Sequence, residues 1–281
     1  LINTNSANQK TFVYSNGRMR RLPEGLVMFV PSKLGPFLRS GLLSWAGILR
    51  MGLDVAIPPR NEAGDESLAS FFRRRFGRQA FARFIEPLMA GIYAGDAEQM
   101  SLQATFPRFI EMERQHGSLI RAMMASRAAG SPMPVPAKPT RSMFVTLQGG
   151  LQELTEALVA QLHAVDTTLR HSTSVDGLRV RANAQNAWTY DVLLSDGTVV
   201  SADAVIVCTP AFVAADLVRP LSPHAAGVLE GIPYASTATV SLAYEAQEVQ
   251  GQIEGFGFVV PRAEGRTLLA ATWTSLKCPH R

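Results

Sequence analysis

The sequence predicts a mixed protein, α+β or mixed α/β in class, and three observations carry that expectation. Through the first half, after one short strand pattern, apolar residues recur at helical spacing. A proline-rich stretch at 131–139 then interrupts the chain, with the composition of a stiff, extended linker. Beyond it the patterns run β-α-β-β-β-β-α-β-β-β, with no internal repeat. A length of 281 residues fits a prior of about two domains. Apolar residues at 47% against 18% charged exclude a disordered chain.

In chain order, residues 11–14 form a strand that enters a hairpin at Asn16-Gly17, because both residues tolerate positive φ. Residues 34–57 are largely apolar but carry Arg39, Arg50 and Asp54. A bilayer span takes about 20 apolar residues, so this stretch does not cross one. It reads as ordinary helix packing, or as a segment that lies on a membrane surface or lines an apolar cavity. After Pro58-Pro59, Asp65 is the expected N-cap of a helix with Leu68, Phe71, Phe72 and Phe76 on one face, closed by Gly77. A second helix carries Phe81, Phe84, Ile85 and Leu88, its last turn disturbed by Pro87. Residues 91–96 read as a compact loop, and 101–127 as helix broken near Pro107 and Gly117.

After the proline-rich stretch, 143–147 reads as a strand, Gly149-Gly150 as a turn, and Leu151, Leu154, Leu158 and Leu162 as one face of a helix. Strands are expected at 175–180, 188–194 and 198–201, with Asp196-Gly197 turning between the last two. Residues 204–208 form a continuous apolar run, fit for a strand buried on both faces. Strand patterns return at 237–244, 256–260 and 267–274.

The net charge of +4 comes from 23 Arg and only 4 Lys. The guanidinium fork suits carboxylate partners, although a compositional bias of the source genome explains the preference equally well. No dense basic run with interleaved aromatics is present, which argues against a nucleic-acid partner. Cys208 and Cys278 lie too far apart for a CxxC site and are too few for a disulfide scaffold. The histidines have no metal-ligand spacing, no GxSxG elbow exists, and Glu111 and Glu113 fall in a solvated helix pattern. Gly255-Phe256-Gly257 lacks the third glycine and the following helix of a dinucleotide loop, so it reads as a turn or strand edge. No catalytic acid, base, nucleophile or metal is therefore expected, a pattern that suits an enzyme whose cofactor carries the chemistry. The first residue is not Met, no signal-peptide pattern follows, and the last residues stop just past a strand pattern. The expectation is an internal piece of a longer protein.

One combination of motifs is more specific. Glu86-Pro87-Leu88-Met89-Ala90-Gly91-Ile92-Tyr93-Ala94-Gly95-Asp96 stands between Arg73-Arg74-Arg75-Phe76-Gly77 and Met100-Ser101-Leu102-Gln103-Ala104. Phe12-Val13-Tyr14 precedes Asn16-Gly17, and Leu147-Gln148-Gly149-Gly150-Leu151 follows the proline-rich stretch. Gly255-Phe256-Gly257-Phe258-Val259-Val260-Pro261 and Thr272-Trp273-Thr274-Ser275 complete the set. On these motifs, in this order and over essentially the whole chain, the sequence resembles the oxygen-dependent protoporphyrinogen oxidases, FAD enzymes of the amine-oxidase superfamily. The YAGD loop and the C-terminal strand are the specific part, whereas Gly149-Gly150 and 204–210 are common to the superfamily.

The resemblance implies FAD as cofactor and the oxidation of protoporphyrinogen IX to protoporphyrin IX in haem synthesis. Hydride would pass to the flavin and molecular oxygen would reoxidise it. Coproporphyrinogen III oxidation to coproporphyrin III is an alternative. So is another FAD oxidoreductase of the superfamily, such as an amine oxidase or a carotenoid desaturase, or an inactive porphyrin-binding fragment. By resemblance alone, Val175 meets the adenine end of FAD through its backbone, where it is otherwise a plain strand valine. Gly91 lets the tetrapyrrole approach the backbone closely, where it is otherwise a tight turn. Val259 and Trp273 flank the macrocycle, where both are otherwise core. The family often places an arginine for a substrate propionate where this chain has Thr11, leaving the adjacent Lys10 as a point donor without bidentate geometry.

The implied layout makes 1–140 the substrate-binding and helical membrane-side portion. Residues 141–218 become the second piece of a split FAD-binding domain, and 219–281 the mixed sheet of the substrate domain. The implied partners are a porphyrinogen and molecular oxygen, with a peripheral membrane contact and a homodimer as further options. The implied location is the cytoplasm or the cytoplasmic face of the membrane.

Overall fold

A computed structural model describes residues 1–5, 9–23, 26–27, 29–31, 34–62, 64–128, 144–182, 188–245, 247–249 and 253–278. In chain order the elements are β1 (Ile2–Asn3), β2 (Thr11–Ser15), β3 (Arg18–Arg21), β4 (Leu26–Val27), β5 (Val30–Pro31), α1 (Leu34–Arg39), α2 (Trp45–Gly52), α3 (Leu68–Ala80), α4 (Glu86–Tyr93) and α5 (Leu102–Thr105). There follow α6 (Pro107–His116), α7 (Leu119–Ala128), β6 (Val145–Thr146), α8 (Gln152–Ala164), β7 (Val175–Ala182), β8 (Trp188–Leu194) and β9 (Val199–Ala202). The chain closes with α9 (Ala211–Val218), α10 (Pro223–Glu230), β10 (Gly257–Val259), β11 (Ala270–Thr272) and α11 (Thr274–Lys277). The mixed α and β class expected from the sequence is the class observed. Two compact units result, one of residues 1–154 with 239–281, the other of residues 155–238. The proline-rich stretch at 131–139 lies outside the described residues.

In the first unit a mixed sheet has the order β11-β10-β2-β3. Asn16 (φ 53°) and Gly17 (φ 74°) form the expected tight turn between β2 and β3. β10 lies parallel to β2 and antiparallel to β11. Gly257 opens β10 at φ 144°, where a Cβ would stand 2.0 Å from the Ala271 carbonyl oxygen, so only glycine fits.

The helices of this unit start largely at serines. Ser44, Ser67 and Ser101 accept bonds from the amides of Gly47, Ser70 and Ala104, capping α2, α3 and α5. Asp65, the expected cap of α3, instead accepts from the amides of Glu66 (2.9 Å) and Gln103 (3.1 Å), and so ties the approach to α3 to α5. Gly77 does not end the helix. At φ 86° and ψ 165° it kinks the chain, which resumes helical geometry to Ala80 and continues through a π-helical turn, Phe81–Ile85. The kink releases carbonyls in the preceding turn, and the Arg50 guanidinium donates to those of Arg73, Arg74 and Arg75. Pro87 stands at the second residue of α4, directly after the π-helical turn, rather than in a last turn. Gly91–Tyr93 are still helical, so the expected loop begins only at Ala94, a left-handed cap (φ 52°).

Phe71, Phe72, Phe76, Phe84 and Phe109 are fully buried, with ring pairs such as Phe72–Phe109 meeting edge to face at 5.2 Å. Beside them lies a buried charge cluster. Arg75, wholly inaccessible, donates from Nε to Glu113 Oε1 (2.7 Å) and from Nη1 to Asp54 Oδ1 (3.2 Å) and the Ile57 and Gly117 carbonyls. Asp54 Oδ2 accepts from Ser118 Oγ (2.6 Å) and the Ile120 amide (3.0 Å). Glu113, expected on a solvated face, is buried: Arg74 and Arg75 both reach it from α3. Burial opposes its charge, yet these two guanidinium groups hold its carboxyl below the usual range.

The second unit contains the antiparallel sheet β7-β8-β9 and the helix pair α9 and α10. Gly197 (φ 83°) makes the expected turn into β9, while Asp196 Oδ1 accepts from the Thr198 amide (2.9 Å). Arg181 and Ser201 hydrogen-bond Asp191 from the flanking strands. α8 buries none of its residues. Residues 204–208, expected as a doubly buried strand, form none, and Ile206 is 88% exposed. The strand expected at 237–244 is also absent, with Val240 77% exposed. A strand exists only where a second backbone takes up its N–H and C=O groups, and among the described residues neither segment has one.

Candidate active site

Three elements of the first unit build the site. β2 and β10 run parallel in register, Phe12 opposite Phe258 and Val13 opposite Val259. Successive side chains on a strand point to opposite faces, so the phenylalanines share one face and the valines the other. On the valine face Val13, Val259 and Leu42 are buried, packed with Leu22, Leu88 and Ala270. Leu88 belongs to α4, and three residues further along, just under one turn, Gly91 meets the strand: a Cβ there would touch Val259 Cγ1 at 3.4 Å. Gly91 is exposed, as are its neighbours Ile92 (64%) and Tyr93 (47%), so at Gly91 the helix backbone lies bare beside the valine face of the sheet.

The structure therefore brings Gly91 and Val259 together. It does not bring Trp273 to them. Trp273 follows β11 and packs on Phe12 (6.2 Å between ring centroids) and Phe258 (6.1 Å), on the phenylalanine face. The period of two decides this, because Ala270 is the β11 residue that packs on the valine face and Trp273 stands an odd number of residues away. Thr11 opens β2 opposite Gly257, and its carbonyl accepts from the Leu22 amide at 2.8 Å. Lys10 Nζ lies 2.5 Å from Glu254 Oε2, and this bond keeps the Glu254 carboxyl below its usual range. The Lys10 ammonium is thus already matched by an anion of the same unit.

Close to the start of α4, Glu86 is 8% exposed and its Oε1 stands 3.0 Å from Arg262 Nε, an ion pair without hydrogen-bond alignment. Arg262 also faces Asp96 Oδ1 at 3.7 Å. Burial raises the Glu86 carboxyl above its ordinary range, Arg262 opposes that rise, and Asp96 adds to it. A cavity of about 460 Å³ opens here, lined by Arg73, Arg78, Phe81, Glu86, Asp96 and Arg262 among others. No spacing rule in the sequence marks these charges as partners, since Glu86 and Arg262 stand in opposite halves of the chain.

In the second unit Val175 opens β7, 39% exposed, with a register irregularity between Val175 and Gly177. β7 is an edge strand among the described residues, so alternate backbone groups on its outer side have no strand partner. That free edge fits a backbone contact to the adenine of a dinucleotide. Among the described residues no helix is long and apolar enough to cross a membrane.

Residues 2–281 match the family described as flavin-containing amine oxidoreductase. The chain is 36% identical to a coproporphyrinogen III oxidase of Bacillus subtilis over 98% of its own length and 57% of the relative's. It is 31% identical to protoporphyrinogen oxidase 1 of Spinacia oleracea chloroplasts, over 98% of this chain and 49% of that one. A crystal structure from Exiguobacterium sp. 255-15 that carries the name of a protoporphyrinogen oxidase superposes with a TM-score of 0.76 at 25% identity, over 99% of this chain and 57% of that one. The chain thus spans about half the length of the relatives it matches. The family is a flavin family, and FAD is the cofactor it implies. With nearly every residue inside the match and the fold in agreement, the chain belongs to the flavin-containing amine oxidoreductases.

Proposed function

We propose that the protein carrying this chain oxidises a porphyrinogen, with FAD as the immediate electron acceptor and molecular oxygen as the final one. The observation that carries the reading is the bare Gly91 backbone set against Val259, in a chain similar over 98% of its length to two porphyrinogen oxidases. Bound FAD supplies the two-electron oxidation. The residues of this chain supply binding and exclusion of water, which suits a broad, flat, apolar ring. Gly91 and Val259 are the proposed ring contacts, and Val175 the proposed backbone contact to FAD. Trp273, on the phenylalanine face, braces β10 from behind. Thr11 and the paired Lys10 stand at the proposed propionate end.

Identity of 36% to the coproporphyrinogen enzyme against 31% to the protoporphyrinogen one makes coproporphyrinogen III the first substrate to try and protoporphyrinogen IX the second. A cytoplasmic site with peripheral membrane contact completes the reading. Its support is α2, where Trp45 (73% exposed), Leu49 (72%) and the following Leu53 (54%) stand at four-residue intervals facing outward.

Gly91→Ala separates this reading from a purely structural glycine. Alanine should favour the helix by about 0.5–1 kcal/mol, because Gly91 is an exposed helical position without positive φ. Porphyrin binding to the complete flavoprotein, followed by fluorescence, should nevertheless weaken, and more so for Gly91→Val. Unchanged binding in both variants would refute the assignment.

A further inference from the structure

We propose that two ion pairs of opposite polarity, Glu86–Arg262 and Arg83–Glu264, are positioning elements that set the approach of Gly91 to Val259 and through it porphyrin binding. The inference rests on the proposed ring contacts and adds the residues that hold them.

The two contact residues lie on separate elements, and each element is anchored close by. Glu86 is the first residue of α4, and Gly91 stands five residues on, about 7.5 Å along the helix. Val259 ends β10, and Arg262 follows three residues later in a 3-10 turn, Arg262–Glu264, across the buried Pro261. Proline fixes its own φ, so this lever is short and stiff. The pair joining them, Glu86 Oε1 to Arg262 Nε, spans 3.0 Å. Arg262 reaches on to Asp96, beyond the far end of α4, and so grips that helix on both sides.

A second pair repeats the link with its signs exchanged. Arg83, one turn before Glu86 in the π-helical segment, stands 3.7 Å from Glu264 Oε1. The helical side reads plus then minus, and the turn side plus then minus in the antiparallel sense. Sliding the turn by one charge spacing would set Glu264 against Glu86 in one direction or Arg262 against Arg83 in the other, like charge on like each time. The pattern therefore specifies one register. Glu264 also accepts from the Asn16 amide (3.0 Å), and Arg83 donates to Ser15 Oγ, which carries the same fixation into the β2–β3 hairpin.

At the first pair, the exposure of Arg262 distinguishes positioning from bulk stability. Arg262 is 57% exposed, so its charge stays solvated when Glu86 is removed, and Glu86→Gln leaves no orphaned buried ion. The test uses the complete flavoprotein and two readouts, fluorescence titration with coproporphyrin III or protoporphyrin IX, and the split between KM and kcat. Glu86→Gln should weaken porphyrin binding about tenfold. KM should rise by more than kcat falls, with the melting temperature and the flavin absorption held. Arg262→Lys should recover most of the binding that Arg262→Gln loses. Arg83→Glu and Glu264→Arg should each weaken binding singly and recover much of it when combined, short of the full value because the Asn16 amide has lost its acceptor. Unaltered porphyrin binding in Glu86→Gln and in both single charge reversals, with any loss confined to melting temperature, overturns the proposal. Should the Gly91 variants bind normally as well, the ring-contact reading itself fails; should only the Gly91 variants lose binding, this inference alone fails.

Discussion

The helical part of the first unit and the sheet of the second solve the same burial problem to different degrees. Around α3 the phenylalanines are sealed from water and even an arginine is wholly inaccessible, matched by two carboxylates and several carbonyls. In the second unit α8 buries nothing and the apolar run at 204–208 stands exposed. Helices satisfy their own backbone and need only side-chain partners, which this unit supplies from within. A strand is unfinished until another backbone joins it, so sheet segments reveal missing neighbours where helices do not. A chain that spans about half of its relatives shows that difference plainly.

The buried charges offer the strongest way to break the contrast. Asp54→Ala removes one of the two carboxylates that match Arg75 and leaves the buried guanidinium with Glu113 as its single carboxylate partner, while Ser118 Oγ and the Ile120 amide lose their acceptor. Unfolding by urea should show a loss of about 3–5 kcal/mol, with the β7-β8-β9 sheet unaffected in its own amide-exchange pattern. A loss below about 1 kcal/mol, the range of surface pairs, would mean that water reaches the cluster.

The exposed stripe of α2 is the exception inside the well-packed unit, and it sharpens the comparison. If Trp45 and Leu49 enter a lipid surface, Trp45→Ser and Leu49→Ser should each lower binding to anionic phospholipid vesicles on the order of tenfold. Folding stability should be unchanged, since both side chains already face water. Absence of vesicle binding by the unsubstituted protein removes the membrane contact from the proposal.

The smallest expected effect concerns the unpaired strand patterns. Amides of 204–208 should exchange rapidly in the isolated 281-residue chain and at least about tenfold more slowly in the complete flavoprotein, where further backbone can pair with them. Equal rates in both would show that the run is a loop in its own right.

Much of the fold was legible from local rules. The Asn16-Gly17 hairpin, the breaks at Pro107 and Gly117, and the strands around Asp196-Gly197 all follow from one residue's φ preference or a missing N–H. Reading Asp65 as the cap of α3 missed because Ser67 lies closer to the first turn and Asp65 is drawn to Gln103 of another helix. Glu113 looked solvated because helical spacing alone does not reveal an arginine arriving from α3.

The sequence by itself determined which segments are helical, where the tight turns fall, and which family motifs the chain carries, since these depend on residues within a few positions of one another. Only the tertiary structure decided that Gly91 meets Val259, that Trp273 turns to the other face, and that Arg262 grips both sides of α4. Those outcomes depend on strand register and on charges far apart in the chain, and no local preference encodes a distance between them.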